Sequence, residues 1–175
     1  MSLANGILDG VGELVDEWLE LSFPASTPLY QHKTAALKLS RRSQIPLADT
    51  FLKQAYNRLE SNWQSSSFSK KRPPSRENWR FQRRSEISPD NSSPEVGLER
   101  AIVQAAGTDW ANQIPTSSGL IGPSADKVRN IDLAHAGENG HFTLIELKVA
   151  SNTPLFAAIE ILLYGLLLTW SRNNA

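Results

Sequence analysis

The stretch RNIDLAHAGENGHFTLIELK, residues 129–148, decides the fold of this chain, because it predicts a β-hairpin. Apolar and polar residues alternate along its two arms, and the turn between them reads Gly-Glu-Asn-Gly. A three-residue loop with Gly140 in the left-handed conformation pairs the arms symmetrically about Asn139, whereas a four-residue loop shifts one arm by one residue. The symmetric register sets Asp132 opposite Glu146.

That register brings three ionisable side chains onto one face of the hairpin. Cross-strand neighbours have Cβ atoms about 4.5–5.5 Å apart, and Lys148 lies two residues beyond Glu146, on the same face. Two carboxylates that close repel each other, and one takes up a proton unless a cation lies between them. The pattern therefore predicts a metal site. The alternative is an edge hairpin whose charged outer face is solvated.

The composition limits the chemistry available to such a site. The chain has 175 residues, no net charge and no cysteine, which excludes disulfides, thiolate zinc sites and cysteine nucleophiles. Any metal must be bound by oxygen or imidazole. Apolar residues at 40% and charged residues at 21% are typical of one soluble domain with appendages. The first residues carry no basic leader followed by an apolar run, so we expect a cytoplasmic protein.

Residues 1–63 predict a helical N-terminal region. Apolar residues recur at helical spacing over residues 5–21, with acidic residues on the other side, and this helix is expected to pack on the domain or on a second subunit. Helical spacing returns over residues 47–63. Residues 29–40 fit either a strand or a short helix.

Residues 64–93 are rich in serine, proline and charge, and predict a linker or a basic arm. Trp79 and Phe81 are interleaved with the basic residues. Basic groups neutralise phosphates and aromatic rings stack on bases, so the arm is a candidate for binding nucleic acid. A solvated linker with two aromatics packed on the body fits equally well. The candidate nucleic-acid-binding residues are Lys70, Lys71, Arg72, Arg76, Arg80, Arg83 and Arg84.

Residues 94–175 predict an α/β core. A helix is expected to begin at Ser93-Pro94 and to stop at Gly107. Its expected inward face consists of Leu98, Ile102, Ala105 and Ala106. Glu95 suits the first turn of this helix, and Glu99 lies beside the apolar stripe. A strand with a loop is expected over residues 109–121.

The last predicted helix begins at Thr153-Pro154 and is apolar on every side except at Glu160 and Tyr164. Its apolar run is shorter than the ~20 residues of a membrane span, so we expect a buried helix and no membrane association. A buried carboxylate needs a partner, and Lys148 is the candidate for Glu160.

The order of these elements resembles the PD-(D/E)XK nuclease superfamily, which has the restriction endonuclease-like fold. The family pattern is an acidic residue on the first helix, an aspartate on the second strand, Glu-x-Lys on the third, and often Gln or Glu four residues before Tyr on the next helix. The matching residues, between positions 94 and 172, are Glu99, Asp132, Glu146, Lys148, Glu160 and Tyr164. The resemblance implies a central mixed β-sheet flanked by helices.

What the resemblance implies about function is metal-dependent hydrolysis of nucleic-acid phosphodiesters, with DNA as the expected substrate. Asp132, Glu146 and the backbone carbonyl of Leu147, with Glu99 as a further ligand, would hold Mg²⁺ or Mn²⁺. Lys148 would position the attacking water or stabilise the developing charge. Glu160, supported by Tyr164, would orient Lys148 or join a second metal.

Two departures from the family pattern accompany the resemblance. The family core has a further strand and helix after the helix that holds Glu160, and this chain ends at Ala175. Either the N-terminal 90 residues complete the core, or a second subunit in a homodimer does, or a further C-terminal segment does. The apolar last helix needs cover on every side, which favours the second subunit or the further segment. The second departure is at the first acidic position, for which Glu95 and Glu99 compete. A non-catalytic nucleic-acid-binding or assembly module on the same fold is the alternative function.

Overall fold

A computed structural model describes residues 6–23, 25, 27–66, 80–116, 130–149 and 153–174. Among these residues the chain forms five α-helices and a three-stranded antiparallel sheet. The predicted mixture of α-helices and a β-sheet is confirmed. The sheet expected to be mixed contains only antiparallel pairs in the described part of the chain.

The N-terminal helices pack together through an apolar interior. Helix α1 is Val11–Trp18, a 3₁₀ turn is Leu29–Gln31, α2 is Lys33–Leu39 and α3 is Asp49–Ser65. The helix predicted over 47–63 is confirmed, whereas the one predicted over 5–21 is shorter because Gly10, at φ 75°, precedes α1. The ambiguous stretch 29–40 is helical. Trp18 of α1 stacks on Phe51 of α3 with ring centroids 4.7 Å apart, so the acidic amphipathic helix packs within the chain.

The predicted hairpin and its register are confirmed. Strand β1 is Trp110–Pro115, β2 is Asn130–Ala136 and β3 is Phe142–Ile145, in the sheet order β1-β2-β3. Leu133 pairs with Ile145, as the symmetric register requires. Asn139 and Gly140 take positive φ angles of 58° and 75°, which gives the three-residue loop.

Helix α4, Pro94–Ala105, begins where the sequence predicts, and the Ser93 hydroxyl accepts a hydrogen bond from the Val96 amide. The predicted inward face is wrong. Leu98 is 43% exposed, whereas Glu99 and Val103 are buried. The pattern misled because the buried face of α4 is partly polar, and a glutamate in a helix is normally solvated.

Residues 80–93 form no helix or strand in the described part of the chain, but they are held against the sheet and α4. The backbone amide of Asn112 in β1 donates to the Gln82 carbonyl at 3.1 Å. The Asn112 side chain also accepts from the backbone amide of Arg84 and donates to its carbonyl. Of the rest of the linker predicted over 64–93, residues 64–65 belong to the end of α3, and residues 67–79 lie outside the described residues.

Helix α5, Pro154–Asn173, lies between the N-terminal helices and the sheet. One stripe packs against the helices, through Ile159, Leu163, Leu167 and Trp170, and a neighbouring stripe packs against the sheet, through Tyr164 and Leu168. By length and composition alone α5 could also cross a membrane, and 39% of its most apolar 18-residue stretch is buried within the protein. Of the predicted buried helix, the stripes that face the N-terminal helices and the sheet are buried. A groove of about 540 Å³ follows the half-buried face of α5 at Ile161, Leu162 and Leu166.

Candidate functional site

Asp132 is positioned by β2 at the point where β3 ends. The ladder between these strands runs to Leu133 and Ile145, so Asp132 lies opposite Glu146 one step further along. The regular pairing is replaced there by a side-chain contact, because the Leu147 amide donates to Asp132 Oδ2 at 2.7 Å. This hydrogen bond fixes the Glu-Leu-Lys segment beside the aspartate.

Lys148 connects β3 to α5 through two carboxylates. Its Nζ donates to Glu146 Oε1 at 2.5 Å and forms an ion pair with Glu160 Oε2 at 2.9 Å. The Tyr164 hydroxyl donates to Glu160 Oε1 at 2.7 Å, one helical turn away. The predicted pairing of Glu160 with Lys148 is confirmed. We call Asp132, Glu146 and Glu160 around Lys148 the carboxylate cluster.

The carboxylate cluster is poorly hydrated. The side chains of Glu146, Lys148 and Glu160 are 5%, 14% and 19% exposed. Burial raises the pKa of Glu146 to about 7, against the hydrogen bond from Lys148, and the charges of Asp132 and Glu160 raise it further. Burial likewise raises the pKa of Asp132. The folded protein therefore disfavours the ionised forms of both Glu146 and Asp132.

The carboxylates hold Lys148 strongly in its charged form. Burial alone would lower the pKa of Lys148, but hydrogen bonds and charges from Glu146 and Glu160 outweigh it and raise the pKa. The aromatic ring of Phe156, in the first turn of α5, lies 5.9 Å from Nζ and adds a cation–π contact. Lys148 is thus a fixed positive charge rather than a proton donor at neutral pH.

One buried oxygen of the cluster fits an additional cation. Glu146 Oε2 is buried and has no hydrogen-bond partner among the described residues. An unpaired carboxylate oxygen beside a second carboxylate is the kind of hard donor that Mg²⁺ and Mn²⁺ prefer. Within the described ranges, no three side chains of His, Asp or Glu converge closely enough to hold an ion by themselves. A metal here would depend on Asp132, Glu146, a backbone carbonyl such as that of Leu147, and water.

Glu99, predicted as a metal ligand, accepts hydrogen bonds from three protein donors. It is 1% exposed. Its Oε1 accepts from Asn112 Nδ2 at 2.5 Å and from Arg100 Nη1 at 2.8 Å, and its Oε2 accepts from Gln113 Nε2 at 2.5 Å. We call this group the Glu99 network. Burial raises the pKa of Glu99, and the charge of the nearby Asp132 raises it further.

Glu95, the competing acidic residue of α4, lies on the side of the carboxylate cluster. Its Oε1 accepts from the Val149 amide at 3.0 Å, directly after Lys148. Its charge also raises the pKa of Asp132, although burial is the main cause. Glu95 therefore has both a contact and an electrostatic interaction with the site. It occupies the first turn of α4, as the sequence indicates.

The candidate basic arm is described only at its end. Five of its predicted residues lie outside the described residues, namely Lys70, Lys71, Arg72, Arg76 and Trp79.

Arg83, at the described end of the arm, donates to the carbonyls of Val103 and Ala106 at 2.6 and 3.1 Å, so it caps the C-terminus of α4. Arg80 is half-buried and Arg84 is exposed. Phe81 packs on Phe142 with ring centroids 5.6 Å apart, which is the contact expected of an aromatic packed on the body.

Sequence reasoning missed the residues that hold Glu99. Asn112 and Gln113 stand together in the middle of a short strand that is otherwise mainly apolar, and that adjacency was the available signal. Arg100 carried no signal, since an arginine on a helix is normally solvated.

No protein-family model, curated protein or solved structure matches this chain.

Proposed function

We propose that this chain is a metal-dependent nuclease of the PD-(D/E)XK type, built on a restriction endonuclease-like core. The observation that carries the proposal is the carboxylate cluster, in which Glu146 Oε2 is buried without a hydrogen-bond partner among the described residues and the pKa of Glu146 is about 7. Carboxylates whose ionised forms are disfavoured in the metal-free protein are stabilised when a divalent cation enters.

Asp132 and Glu146 are the proposed metal ligands, with the Leu147 carbonyl. A bound Mg²⁺ supplies positive charge at a phosphoryl oxygen and lowers the pKa of water. The hydrogen bond from the Leu147 amide to Asp132 Oδ2 holds the aspartate against the segment that carries the other two ligands. Preorganised ligands of this kind lose little freedom on binding.

Lys148 is the proposed electrostatic catalyst. It is charged at neutral pH and fixed between Glu146 and Glu160, so its role is to stabilise charge that develops on the phosphoryl group or to orient the attacking water. Glu160 and Tyr164 act through Lys148. The Tyr164 hydroxyl fixes the Glu160 carboxylate, and Glu160 in turn fixes the ammonium.

The substrate we propose is nucleic acid, DNA before RNA, in the cytoplasm. The basic residues of 70–84 supply phosphate contacts, apart from Arg83, whose guanidinium caps α4. Such contacts provide affinity without sequence specificity. Binding through this arm is therefore expected to weaken steeply as salt is raised.

The experiment that tests the proposal is a cleavage assay on plasmid DNA, single-stranded DNA and RNA with Mg²⁺ or Mn²⁺. We expect cleavage by the wild type, and a loss of at least a hundredfold in Asp132→Ala and Lys148→Ala. The matched controls are Asp109→Ala, an exposed aspartate before β1, and Lys53→Ala, an exposed lysine of α3. Cleavage that survives Asp132→Ala would refute the assignment of the site.

A non-catalytic nucleic-acid-binding or assembly module is the second candidate. It is favoured by the observation that Lys148 already bridges Glu146 and Glu160 without a metal. This reading predicts that the wild type binds nucleic acid with a strong salt dependence, that it cleaves none of the substrates, and that Asp132→Ala leaves binding unchanged.

A further inference from the structure

Gln113 has a backbone conformation that is unusual for its place in the chain. Among the described residues other than glycine, Glu20, Gln113 and Asn139 have positive φ angles. Glu20 and Asn139 lie in turns, where such angles are ordinary. Gln113, at φ 54°, lies inside strand β1. Backbone strain at a non-glycine residue within a strand persists only where the surroundings enforce it, and it often marks a functional site.

The consequence of this conformation is that two consecutive side chains reach the same carboxylate. In a regular strand, neighbouring side chains point to opposite faces. Here the carboxamides of Asn112 and Gln113 both donate to Glu99, each at 2.5 Å, one to each oxygen. The left-handed residue therefore allows β1 to bind Glu99 of α4 with adjacent amides.

Gln113 also contacts the strand that carries Asp132. The ladder pairs Asn112 with Leu133 and Ile114 with Ile131, which places Gln113 opposite Asp132. The Gln113 Oε1 accepts from Asn130 Nδ2 at 3.1 Å, two residues before Asp132. A single carboxamide thus joins α4 through Glu99 to β2 through Asn130, directly beside the carboxylate cluster.

We propose that Gln113 is a positioning residue for Asp132. Its carboxamide, held between Glu99 and Asn130, keeps β1 in the left-handed conformation opposite Asp132 and so fixes the direction in which β2 presents that carboxylate. Glu99 is the fixed acceptor of this arrangement and not a metal ligand. The inference rests on the proposed metal site, because Asp132 is the ligand whose position Gln113 controls.

The test is the affinity for Mn²⁺, measured by calorimetry in Gln113→Gly and Gln113→Asn. Glycine adopts both signs of φ and has no carboxamide, so β1 opposite Asp132 is no longer held in one conformation. Asparagine tolerates the left-handed region but is one methylene shorter, and it offers a second variant should the glycine protein fold poorly. We expect each to lose at least tenfold in Mn²⁺ affinity.

Two controls separate positioning from stability. Asn139→Gly changes another left-handed residue to glycine, in the exposed turn of the hairpin, and should bind Mn²⁺ as the wild type does. Leu59→Ala destabilises the protein from a fully buried position on α3 and should also retain the wild-type affinity.

The outcomes distinguish the two proposals. Wild-type affinity in folded Gln113→Gly and Gln113→Asn, together with loss of binding in Asp132→Ala, would overturn the role of Gln113 and leave the metal site intact. Tighter Mn²⁺ binding in either Gln113 variant would also overturn the role of Gln113. That result would mean that the Glu99 network keeps Glu99 from binding the metal. No Mn²⁺ binding by the wild type would overturn the metal site, and with it the positioning role.

Discussion

The two sides of α5 face different environments, one of them apolar and the other partly polar. The side facing the N-terminal helices has a large cluster of buried residues, all of them apolar and running from Ile7 to Trp170. The side facing the sheet has a small apolar cluster around Ile131 and Tyr164. Beside it lie the buried polar groups of the Glu99 network and the carboxylate cluster.

The difference separates the main source of stability from the proposed metal site. Burial of apolar surface stabilises the helical side without any requirement for a ligand. Buried carboxylates on the sheet side oppose folding unless a cation compensates them. The helical side therefore supplies the folding free energy that allows the sheet side to keep an electrostatically unfavourable site. Substitutions on the helical side should lower stability without changing metal affinity, whereas the effects of substitutions on the sheet side should depend on pH.

The largest expected effect is on the helical side. Phe51 is 1% exposed and stacked on Trp18, so Phe51→Ala should lower the free energy of unfolding by about 3–5 kcal/mol, measured by urea denaturation. The affinity of the folded variant for Mn²⁺ should not change. Leu47→Ala, at a side chain that is 86% exposed, is the control and should change stability by less than about 0.5 kcal/mol. A large loss of Mn²⁺ affinity in Phe51→Ala would show that the two sides are not separate.

The next effect is on Lys148, the ammonium group between the carboxylates of the cluster. In EDTA at pH 7.5, Lys148→Met should destabilise the protein by about 3 kcal/mol, because Glu146 and Glu160 lose their shared partner. At pH 5 the loss should be smaller, since Glu146, with a pKa of about 7, is then protonated in the folded state. Lys53→Met, on the exposed face of α3, is the matched control. An equal loss at both pH values would contradict the account of the cluster.

The smallest effect is the pH dependence of Glu146. Its pKa is about 7 in the folded protein, above the ordinary value of 4.5 for a glutamate, so the folded state binds the proton more tightly. The associated stability is fully present below about pH 4.5 and is lost as the pH rises to about 7. In EDTA, the stability of Glu146→Gln relative to wild type should rise by about 2 kcal/mol between pH 5.5 and pH 8.

Urea denaturation at both pH values measures this change. The control is Glu138→Gln, at an exposed glutamate in the turn of the hairpin, which should show no comparable pH dependence. A difference between Glu146→Gln and wild type that is constant with pH would mean that Glu146 ionises normally in the folded protein.

The hairpin was predictable because its information is local. The turn residues Asn139 and Gly140 both favour the left-handed region, and this fixes the loop length and with it the register that sets Asp132 opposite Glu146. The pairing of Lys148 with Glu160 followed from the high cost of an unpaired carboxylate in an apolar helix. Both conclusions needed only short segments and a physical rule.

The face of α4 was not predictable for the opposite reason. Glu99 is buried because Asn112, Gln113 and Arg100 supply donors, and the left-handed angle of Gln113 has no signature in the strand pattern. Tertiary partners overrode the amphipathic pattern, which assigned the inward face to Leu98 instead of Glu99. The exposed groove on α5 was missed likewise, since an apolar helix gives no indication of how much of it is covered.

Mn²⁺ binding tests the central claim most directly, namely that a divalent cation binds between Asp132 and Glu146. Calorimetric titration of the wild type should show one binding event, which Asp132→Ala and Glu146→Ala should each abolish. Asp109→Ala, an exposed aspartate before β1, should retain it. Binding that persists in both site variants, or no binding by the wild type, would contradict the account.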